Sequence, residues 1–394
     1  MSKGKAFNID YSVYLSLMLI FIIIPPQYFL SNSLFVNINK LFLAILFIVL
    51  FSYTLLKRKL NIYVLLLTIF LFWNVFSSYF ILDGVSDITN NLRILTLVLL
   101  INLFVNKHLF YLLKSFNFVF GIYIVLNLMT YVVFTNGLYL DNPREGQYRL
   151  AWLLGIENQF AYVLIPGTVL TFIYSLYKYN KISKYAWFIF MVSIITIIVS
   201  WSATAVVTLA FIIVSLVVIN IEKLKKYYNI SILTILYVVI WIFAVQINKF
   251  KELNVLIEKF LKKDITLSGR TYIWDEVFYK IPESLWLGFG NNTRVFVSVF
   301  NKEYRAHNMI LQIVLDNGIV SLFLLLLIFI VVGIRIHKSY NPIKLYILLG
   351  IFSILIGGLA ESYQLNYLIL FLTLGYYIDY LGIDKRFNNY SKIL

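Results

Sequence analysis

One histidine and a set of arginines are the side chains in this chain whose types and spacing could do chemistry. The 394 residues include three histidines and no cysteine, which excludes disulfides, thiolate metal sites and cysteine nucleophiles. His307 lies in AHNMILQIVLDNG, close to Arg294 and Arg305. Cationic neighbours disfavour imidazolium, and a neutral imidazole can accept a proton from a hydroxyl. The alternative is a purely structural histidine, which is the commoner role of an isolated one.

Arg270 is the second candidate, in the stretch SGRTYIWDEVFYKIP. It stands at the start of a predicted short helix that Thr271 can cap. Free N–H groups at a helix start attract anions, and a guanidinium can bind a phosphate through two hydrogen bonds. The alternative is that Arg270 only pairs with a nearby carboxylate, namely Asp264, Asp275 or Glu276.

The elements that must position these residues are membrane helices. The chain is 61% hydrophobic and 13% charged, whereas soluble domains carry roughly 25% charged residues. We predict an all-α polytopic integral membrane protein, a single domain over residues 1–394, with about twelve spans of roughly 20 residues. The spans lie near 11–30, 38–56, 61–82, 90–106, 115–134, 156–177, 184–200, 204–221, 230–247, 319–336, 342–358 and 364–382.

The distribution of basic residues predicts the orientation. Lysines and arginines concentrate in alternate loops, such as Lys57-Arg58-Lys59 and Lys223/Lys225/Lys226, and such loops face the cytoplasm. Both termini are then cytoplasmic. The net charge of +15 is read as this topology signal and not as a sign of nucleic-acid binding.

One long connection, residues 248–306 between spans nine and ten, is polar and predicted to lie outside the cytoplasm with short surface helices. Long outer loops are translocated whatever their charge, and an ordered loop of this length normally carries function. Further polar residues fall in the outer loops or at their edges: Arg93, Arg144, Arg149, Glu157, Arg294, Arg305, Asn308 and Glu361. Arginines gathered on one face suggest a phosphate site, although they could equally pair with lipid headgroups.

The absence of familiar motifs narrows the chemistry. No Walker loop, GxGxxG, HExxH or DxD occurs, so we expect neither a nucleotide nor a metal or other cofactor. A transfer reaction outside the cytoplasm needs a donor that is already activated, and a lipid diphosphate fits. Arginines could stabilise its leaving group electrostatically.

Two stretches of the sequence resemble the motifs of a known protein superfamily. SGRTYIW…PESLWLGFG and AHNMILQIVLDNGIVS resemble the O-antigen polymerase and O-antigen ligase superfamily, whose large outer loop contains SGR…W…P-l-x-G-x-G and H-N-x9-G-x-x-G/T. Ser321 takes the last position of the second motif. RLAWLLGIENQFAY resembles the R-x-x-G…pN-x-x-A segment of the family, with Glu157 in place of the proline. In WSATAVV, Thr204 stands where relatives carry an arginine.

The resemblance implies a metal-independent membrane glycosyltransferase of GT-C-like architecture that moves glycan from undecaprenyl diphosphate with inversion. By matching position, Arg270 and Arg149 would contact the diphosphate and His307 would activate the acceptor hydroxyl. Asn308 would orient the histidine loop. The remaining candidates for the substrate site are Arg93, Arg144, Glu157, Arg294, Arg305 and Glu361.

The first functional prediction is a polymerase that joins lipid-linked repeat units of O-antigen (the outer glycan of lipopolysaccharide) or capsule at the outer face of the bacterial cytoplasmic (inner) membrane. The alternative is the ligase that moves finished glycan onto lipid A core or another acceptor. Expected partners are undecaprenyl diphosphate-linked oligosaccharide, membrane lipids, and a chain-length regulator and flippase of the same pathway. No nucleic acid is expected.

A transporter or flippase is the alternative from a different class, since such proteins also have about twelve spans. Transporters place ionisable residues or broken helices near the middle of the membrane. The predicted spans hold almost no charge at their centres, and a flippase does not need the 248–306 loop.

Overall fold

The computed structural model describes residues 10–82, 88–141, 148–245, 269–362 and 365–382. Arg144 and the first part of the predicted outer loop, residues 248–268, lie outside the described residues. Within the described part the chain is a bundle of α-helices with two small β-hairpins.

Six helices of the described chain are long and apolar enough to cross a membrane: Ser33–Leu56, Ile62–Ile81, Leu109–Val133, Glu157–Tyr179, Ala203–Asn220 and Met309–Lys338. Six further apolar helices are shorter: Tyr11–Ile23, Ile88–Phe104, Lys184–Ser200, Ile230–Val245, Lys344–Gly357 and Leu365–Tyr376. The predicted α-helical class is confirmed, and the apolar helices fit a polytopic membrane protein. Twelve crossings stay a prediction, because a crossing helix normally needs about 20 residues.

Short elements fill the connections. The short helices are Gln27–Leu30, Glu222–Lys225 and Arg270–Lys280, and 3-10 turns cover Ile281–Ser284, Ser298–Phe300 and Ile378–Leu381. Antiparallel hairpins pair Tyr139–Asp141 with Arg149–Ala151 and Val295–Val297 with Lys302–Tyr304. The all-α prediction misses these strands, since three residues are too few to show the two-residue alternation of a strand.

The first predicted span, 11–30, is not one continuous helix. An α-helix over Tyr11–Met18 passes into a π-helical turn, Leu19–Ile23, and two prolines follow shortly after it. Proline cannot donate a backbone hydrogen bond and interrupts a helix. The Nδ2 of Asn39 donates to the carbonyl oxygens of Phe21 (2.7 Å) and Ile22 (3.1 Å). A neighbouring side chain thus satisfies backbone groups that apolar surroundings would leave without a partner.

Three helices that are buried along most of their length form the centre of the bundle: Glu157–Tyr179, Lys344–Gly357 and Leu365–Tyr376. A helix that is apolar around its whole circumference is typical of such a position. Ser33–Leu56 lies at the periphery instead, and it exposes large side chains such as Leu41, Ile48 and Leu56. Exposed apolar side chains of this kind suit contact with lipid tails.

Charged pairs join segments that the sequence predicts on one side of the membrane. Lys114 Nζ lies 2.5 Å from Asp10 Oδ2, and Arg335 Nη1 lies 3.8 Å from Asp379 Oδ2. The Lys114 ammonium donates a hydrogen bond to the Asp10 carboxylate and lowers the pKa of that group to about 2. The predicted cytoplasmic ends therefore lie together, while the direction in which they face stays a prediction.

The described half of the predicted outer loop packs on the bundle through the helix Arg270–Lys280, called the loop helix here. It buries Ile273 and Val277, and these residues share a core cluster with Leu311 and Leu315. The predicted cap is wrong. Gly269, with φ +84°, precedes the helix, and the buried Oγ1 of Thr271 has no hydrogen-bond partner among the described residues.

The helix Met309–Lys338, called the kinked helix here, contains a non-helical residue, Gly318, with φ 73° and ψ 178°. Gly318 breaks the helix directly before the predicted tenth span, 319–336. A Cβ atom at Gly318 would collide with the carbonyl of Trp286, and a Cβ at Gly288 would lie 2.5 Å from the carbonyl oxygen of Asp316. The glycines therefore let the turn after the loop helix enter the break in the kinked helix.

Candidate active site

Three side chains that lie far apart in the sequence meet at the outer-loop end of the bundle. Arg270 Nη2 donates to Glu361 Oε1 at 2.5 Å, and His307 Nδ1 lies 3.2 Å from Glu361 Oε2. One carboxylate thus bridges a guanidinium and an imidazole. Of the alternatives for Arg270, pairing with a carboxylate is confirmed, but the partner is Glu361 and not one of the acidic residues near it in sequence.

His307 is held by the residues on both sides of it. Ala306 and Asn308 are fully buried, whereas the His307 side chain is 32% exposed. The Nε1 of Trp274 donates to the Ala306 carbonyl at 2.9 Å. His307 itself has φ +46°, a left-handed conformation that few residues other than glycine adopt and that often marks a functional position. The two buried neighbours therefore fix the position of the partly exposed His307 ring.

Asn308 provides part of this anchoring. Its Oδ1 accepts the Leu311 N–H at 3.1 Å, which caps the kinked helix, and its Nδ2 donates to the Leu359 carbonyl at 3.0 Å. Because Leu359 lies two residues before Glu361, the same side chain ties the segment of the carboxylate to the segment of the histidine. Asn308 is fully buried, so it positions the site and does not line the cavity.

Arg270 is the first residue of the loop helix. The left-handed Gly269 before it packs against the Phe300 ring, and a Cβ at that position would lie 2.4 Å from the Cζ of Phe300. The side chains of Arg270 and Glu361 are 19% and 11% exposed. Limited contact with water strengthens their attraction relative to a surface pair.

These three residues line a cavity of about 570 Å³, called the cationic cavity here. Its lining residues are Arg149, Ile156, Asn158, Gln159, Tyr162, Arg270, Arg294, Lys302, Tyr304, Arg305, His307, Glu361 and Ser362. Four arginines and one lysine thus surround a single carboxylate. Such a cavity can bind a polyanion, because guanidinium groups make paired, charge-assisted hydrogen bonds to phosphate.

The sequence-predicted residues divide into two groups. Arg149, Arg270, Arg294, Arg305, His307 and Glu361 line the cationic cavity together. Asn308, Arg93 and Glu157 do not line it. Arg93 donates to Asn39 Oδ1 at 2.6 Å. Glu157 accepts a hydrogen bond from the Tyr131 hydroxyl at 2.7 Å, in a neighbouring groove that Arg149 also lines.

Several lining residues were not predicted. Lys302 comes from the hairpin strand beside Arg305, while Gln159 and Tyr162 come from the first turns of the helix Glu157–Tyr179. The basic stretch around Arg305 was a usable signal for Lys302. The spacing of Gln159 and Tyr162, three residues apart on one helix face, could have indicated a shared surface, but no charge distinguishes them.

The kinked helix and the residue before it carry a buried polar stripe, which consists of Asn308, Gln312 and Asp316. Gln312 Nε2 donates to Thr293 O (3.0 Å) and to Asp316 Oδ1 (2.8 Å), and Gln312 Oε1 accepts the Ala306 N–H at 2.7 Å. Asp316 Oδ1 also accepts the Thr293 N–H at 2.9 Å. The stripe therefore fixes the 293–306 segment, and with it His307, on the kinked helix.

Residues 188–326 match the family model Wzy_C, described as O-antigen ligase. The match includes Arg270 and His307, begins after Arg149 and ends before Glu361. The predicted resemblance to the O-antigen ligase and polymerase superfamily is thus confirmed over this part of the chain. No curated protein matches the chain.

Proposed function

We propose that this protein is a polysaccharide polymerase. It transfers glycan from an undecaprenyl diphosphate-linked repeat unit to a hydroxyl of a second lipid-linked unit, at the outer face of the bacterial cytoplasmic membrane. The observation that carries the proposal is the meeting of Arg270, Glu361 and His307 in a cavity with four further cationic side chains. This arrangement can stabilise a polyanionic leaving group and can accept a proton.

The donor's diphosphate binds in the cationic cavity. When the bond from the anomeric carbon to the diphosphate oxygen breaks, negative charge grows on that oxygen. Arg270 and Arg149 donate hydrogen bonds to the diphosphate, and fixed donors in a partly dehydrated site stabilise such charge effectively. Arg294, Lys302 and Arg305 add to the positive field of the cavity.

His307 is the general base. The Glu361 carboxylate accepts the Nδ1–H of the ring, which leaves the lone pair on Nε2 for the acceptor. The acceptor hydroxyl oxygen attacks the anomeric carbon from the side opposite the leaving group, its proton passes to Nε2, and undecaprenyl diphosphate departs. The anomeric configuration inverts, and Glu361 stabilises the imidazolium formed.

Glu361 couples these two events. Arg270 is paired with Glu361, so the arriving diphosphate competes with the carboxylate for the guanidinium. Once Arg270 binds the diphosphate, the Glu361 carboxylate interacts with His307 alone. The ring then becomes a better proton acceptor after the donor has bound.

A ligase is the second candidate, because the matching family model carries the description O-antigen ligase. The same residues serve both reactions, since only the acceptor differs. In the ligase, finished glycan passes to lipid A core or another acceptor in a single transfer.

The test uses purified protein and lipid-linked repeat units. A polymerase converts these units alone into a ladder of longer glycans. A ligase leaves them unchanged until a core acceptor is added, and then forms one new product. Failure to form any product with either acceptor, from protein that remains folded, would contradict both candidates.

A further inference from the structure

A second cavity, of about 270 Å³, adjoins the cationic cavity, and Arg305 and Ser362 line both. We call it the amide cavity, because seven side-chain amides are among its lining residues: Asn74, Asn90, Asn91, Asn291, Asn292, Gln312 and Asn317. Of its lining residues, the proposed mechanism uses only Arg305.

Four separate parts of the fold contribute these amides. Asn74 lies on the helix Ile62–Leu82 and Asn91 at the start of the helix Ile88–Phe104. Asn292 follows the turn that contains Gly288 and Gly290, called the glycine turn here. Asn317 precedes the break in the kinked helix. Amides brought from distant positions to one cavity next to a reaction centre indicate a built surface and not the composition of a single loop.

Polar atoms around the amide cavity have unused hydrogen-bonding capacity. Asn317 is 5% exposed, and its Nδ2 donates to Asn291 Oδ1 at 3.2 Å. Its Oδ1, the Oγ of Ser362 and the Nε of Arg305 are buried without a hydrogen-bond partner among the described residues. Buried polar atoms are normally satisfied, so these three favour a polar ligand in the cavity.

The chemistry of the lining favours sugar over phosphate. A carboxamide offers both donors and an acceptor, as does a sugar hydroxyl or an acetamido group, whereas the cationic cavity offers mostly donors. Two guanidiniums, of Arg93 and Arg305, also line the amide cavity beside Asp316, so it holds fewer cationic groups than the cationic cavity, which four arginines and one lysine line. The cavity is far larger than the ~30 Å³ that one water occupies.

We infer that the amide cavity binds the uncharged sugar residues of the glycan, next to the diphosphate held in the cationic cavity. This inference rests on the proposed function, because it takes the cationic cavity as the diphosphate site. Arg305 and Ser362 line both cavities, which therefore adjoin. One lipid-linked substrate can thus extend from one cavity into the other.

The experiment compares two lipids on the full-length protein in nanodiscs. The first is undecaprenyl diphosphate without sugar. The second is the lipid-linked oligosaccharide that accumulates in source cells from which this protein has been deleted. The ratio of the two dissociation constants reports the contribution of the glycan. For the wild-type protein we expect the oligosaccharide-bearing lipid to bind about tenfold more tightly, the equivalent of about 1.4 kcal/mol.

Asn91→Leu removes one amide, and Asn292→Gly removes another while tolerating the left-handed φ of +66° at that position. Asn220→Leu is the matched control, since Asn220 is exposed and bonds only its own helix at Leu216. Thermal unfolding of each variant checks that it is folded. We expect both cavity variants to lower the ratio without changing the binding of undecaprenyl diphosphate, and the control to change neither.

A wild-type ratio of one, or a ratio that both folded cavity variants retain, would overturn the amide-cavity inference while the diphosphate site stands. A wild-type protein that binds neither lipid would instead overturn the proposed function, and the inference with it.

Discussion

Glu361 is the residue on which the chemistry of this site depends most. Its two oxygens contact Arg270 and His307, so in the proposed mechanism one charge serves the group that binds the donor and the group that accepts the proton. Substitution of Glu361 should therefore change donor binding and the transfer rate in opposite directions.

We predict that Glu361→Gln binds undecaprenyl diphosphate more tightly than the wild type, because no carboxylate competes for Arg270. The same variant should transfer glycan more slowly, because a neutral amide stabilises the imidazolium less well. The loss should fall within the ~10²–10⁴-fold that a general base contributes. The measurement is a donor dissociation constant together with a single-turnover transfer rate.

Glu303→Gln is the control for this prediction. Glu303 lies exposed on the hairpin beside Lys302, and its substitution changes the net charge by the same amount. It should leave both quantities unchanged. Parallel losses of donor binding and transfer in Glu361→Gln would show that the carboxylate is only a structural support.

Residue types and motif spacing were enough to identify Arg270 and His307 from the sequence, and several of the arginines around them. They could not reveal that Glu361 joins the two. Arg270 and His307 lie 91 and 54 residues from Glu361 in the chain, and only the packing of the bundle brings them together. The resemblance implied that Asn308 orients the histidine loop, but nothing in the sequence indicated its full burial or its hydrogen bond to the Leu359 carbonyl.

At the level of elements, the site depends on the fit between the glycine turn and the kinked helix. The N–H groups of Phe289 and Gly290 donate to the carbonyls of Leu315 and Asp316 at 2.9 and 2.8 Å. These bonds use carbonyl groups next to the break, which a regular helix would have satisfied itself. The fit sets the distance between the loop helix and the segment that carries His307.

We predict that Gly318→Ala destabilises the protein. Alanine at φ 73° and ψ 178°, a backbone region essentially restricted to glycine, costs about 1–3 kcal/mol, and its Cβ would also collide with the Trp286 carbonyl. The midpoint of thermal unfolding in detergent should fall, and transfer activity should fall with it because the loop helix is displaced.

Gly333→Ala, on the same helix, is the matched control. A Cβ there would meet only the Cδ1 of Ile230, at 3.3 Å, and alanine is favoured over glycine in a helix by about 1 kcal/mol. Its unfolding midpoint should stay the same or rise. A Gly318→Ala protein as stable as this control would contradict the proposed fit.

The long helices and the loop helix were predictable from the sequence, whereas the three-residue strands were not. Apolar runs such as 38–56 and 204–221 identify helices because their length alone requires burial or lipid contact. The hairpin strands are three residues each, and the loop helix begins after a left-handed glycine that no side-chain cap announces. These features depend on backbone geometry and distant partners, which composition does not encode.

For the whole molecule, the central expectation is that the cationic cavity opens outside the cytoplasm. The absence of cysteine from the chain makes this testable with introduced thiols. We predict that Lys302→Cys, at the cavity, reacts with a membrane-impermeant maleimide in intact cells or spheroplasts.

Tyr340→Cys is the opposite marker, because Tyr340 is 99% exposed and lies in a predicted cytoplasmic loop. It should react only after the membrane is permeabilised. Labelling of Tyr340→Cys in intact spheroplasts, with Lys302→Cys protected, would reverse the orientation and place the cavity in the wrong compartment for this reaction.

The most direct test of the account separates donor binding from transfer in two variants that remain folded. Arg270→Gln should weaken the binding of undecaprenyl diphosphate and slow transfer by about 10²–10³-fold, as the loss of a key donor to developing charge does. His307→Gln should leave donor binding unchanged and slow transfer by about 10²–10⁴-fold. Transfer near the wild-type rate in either variant would contradict the assignment of diphosphate binding to Arg270 and proton transfer to His307.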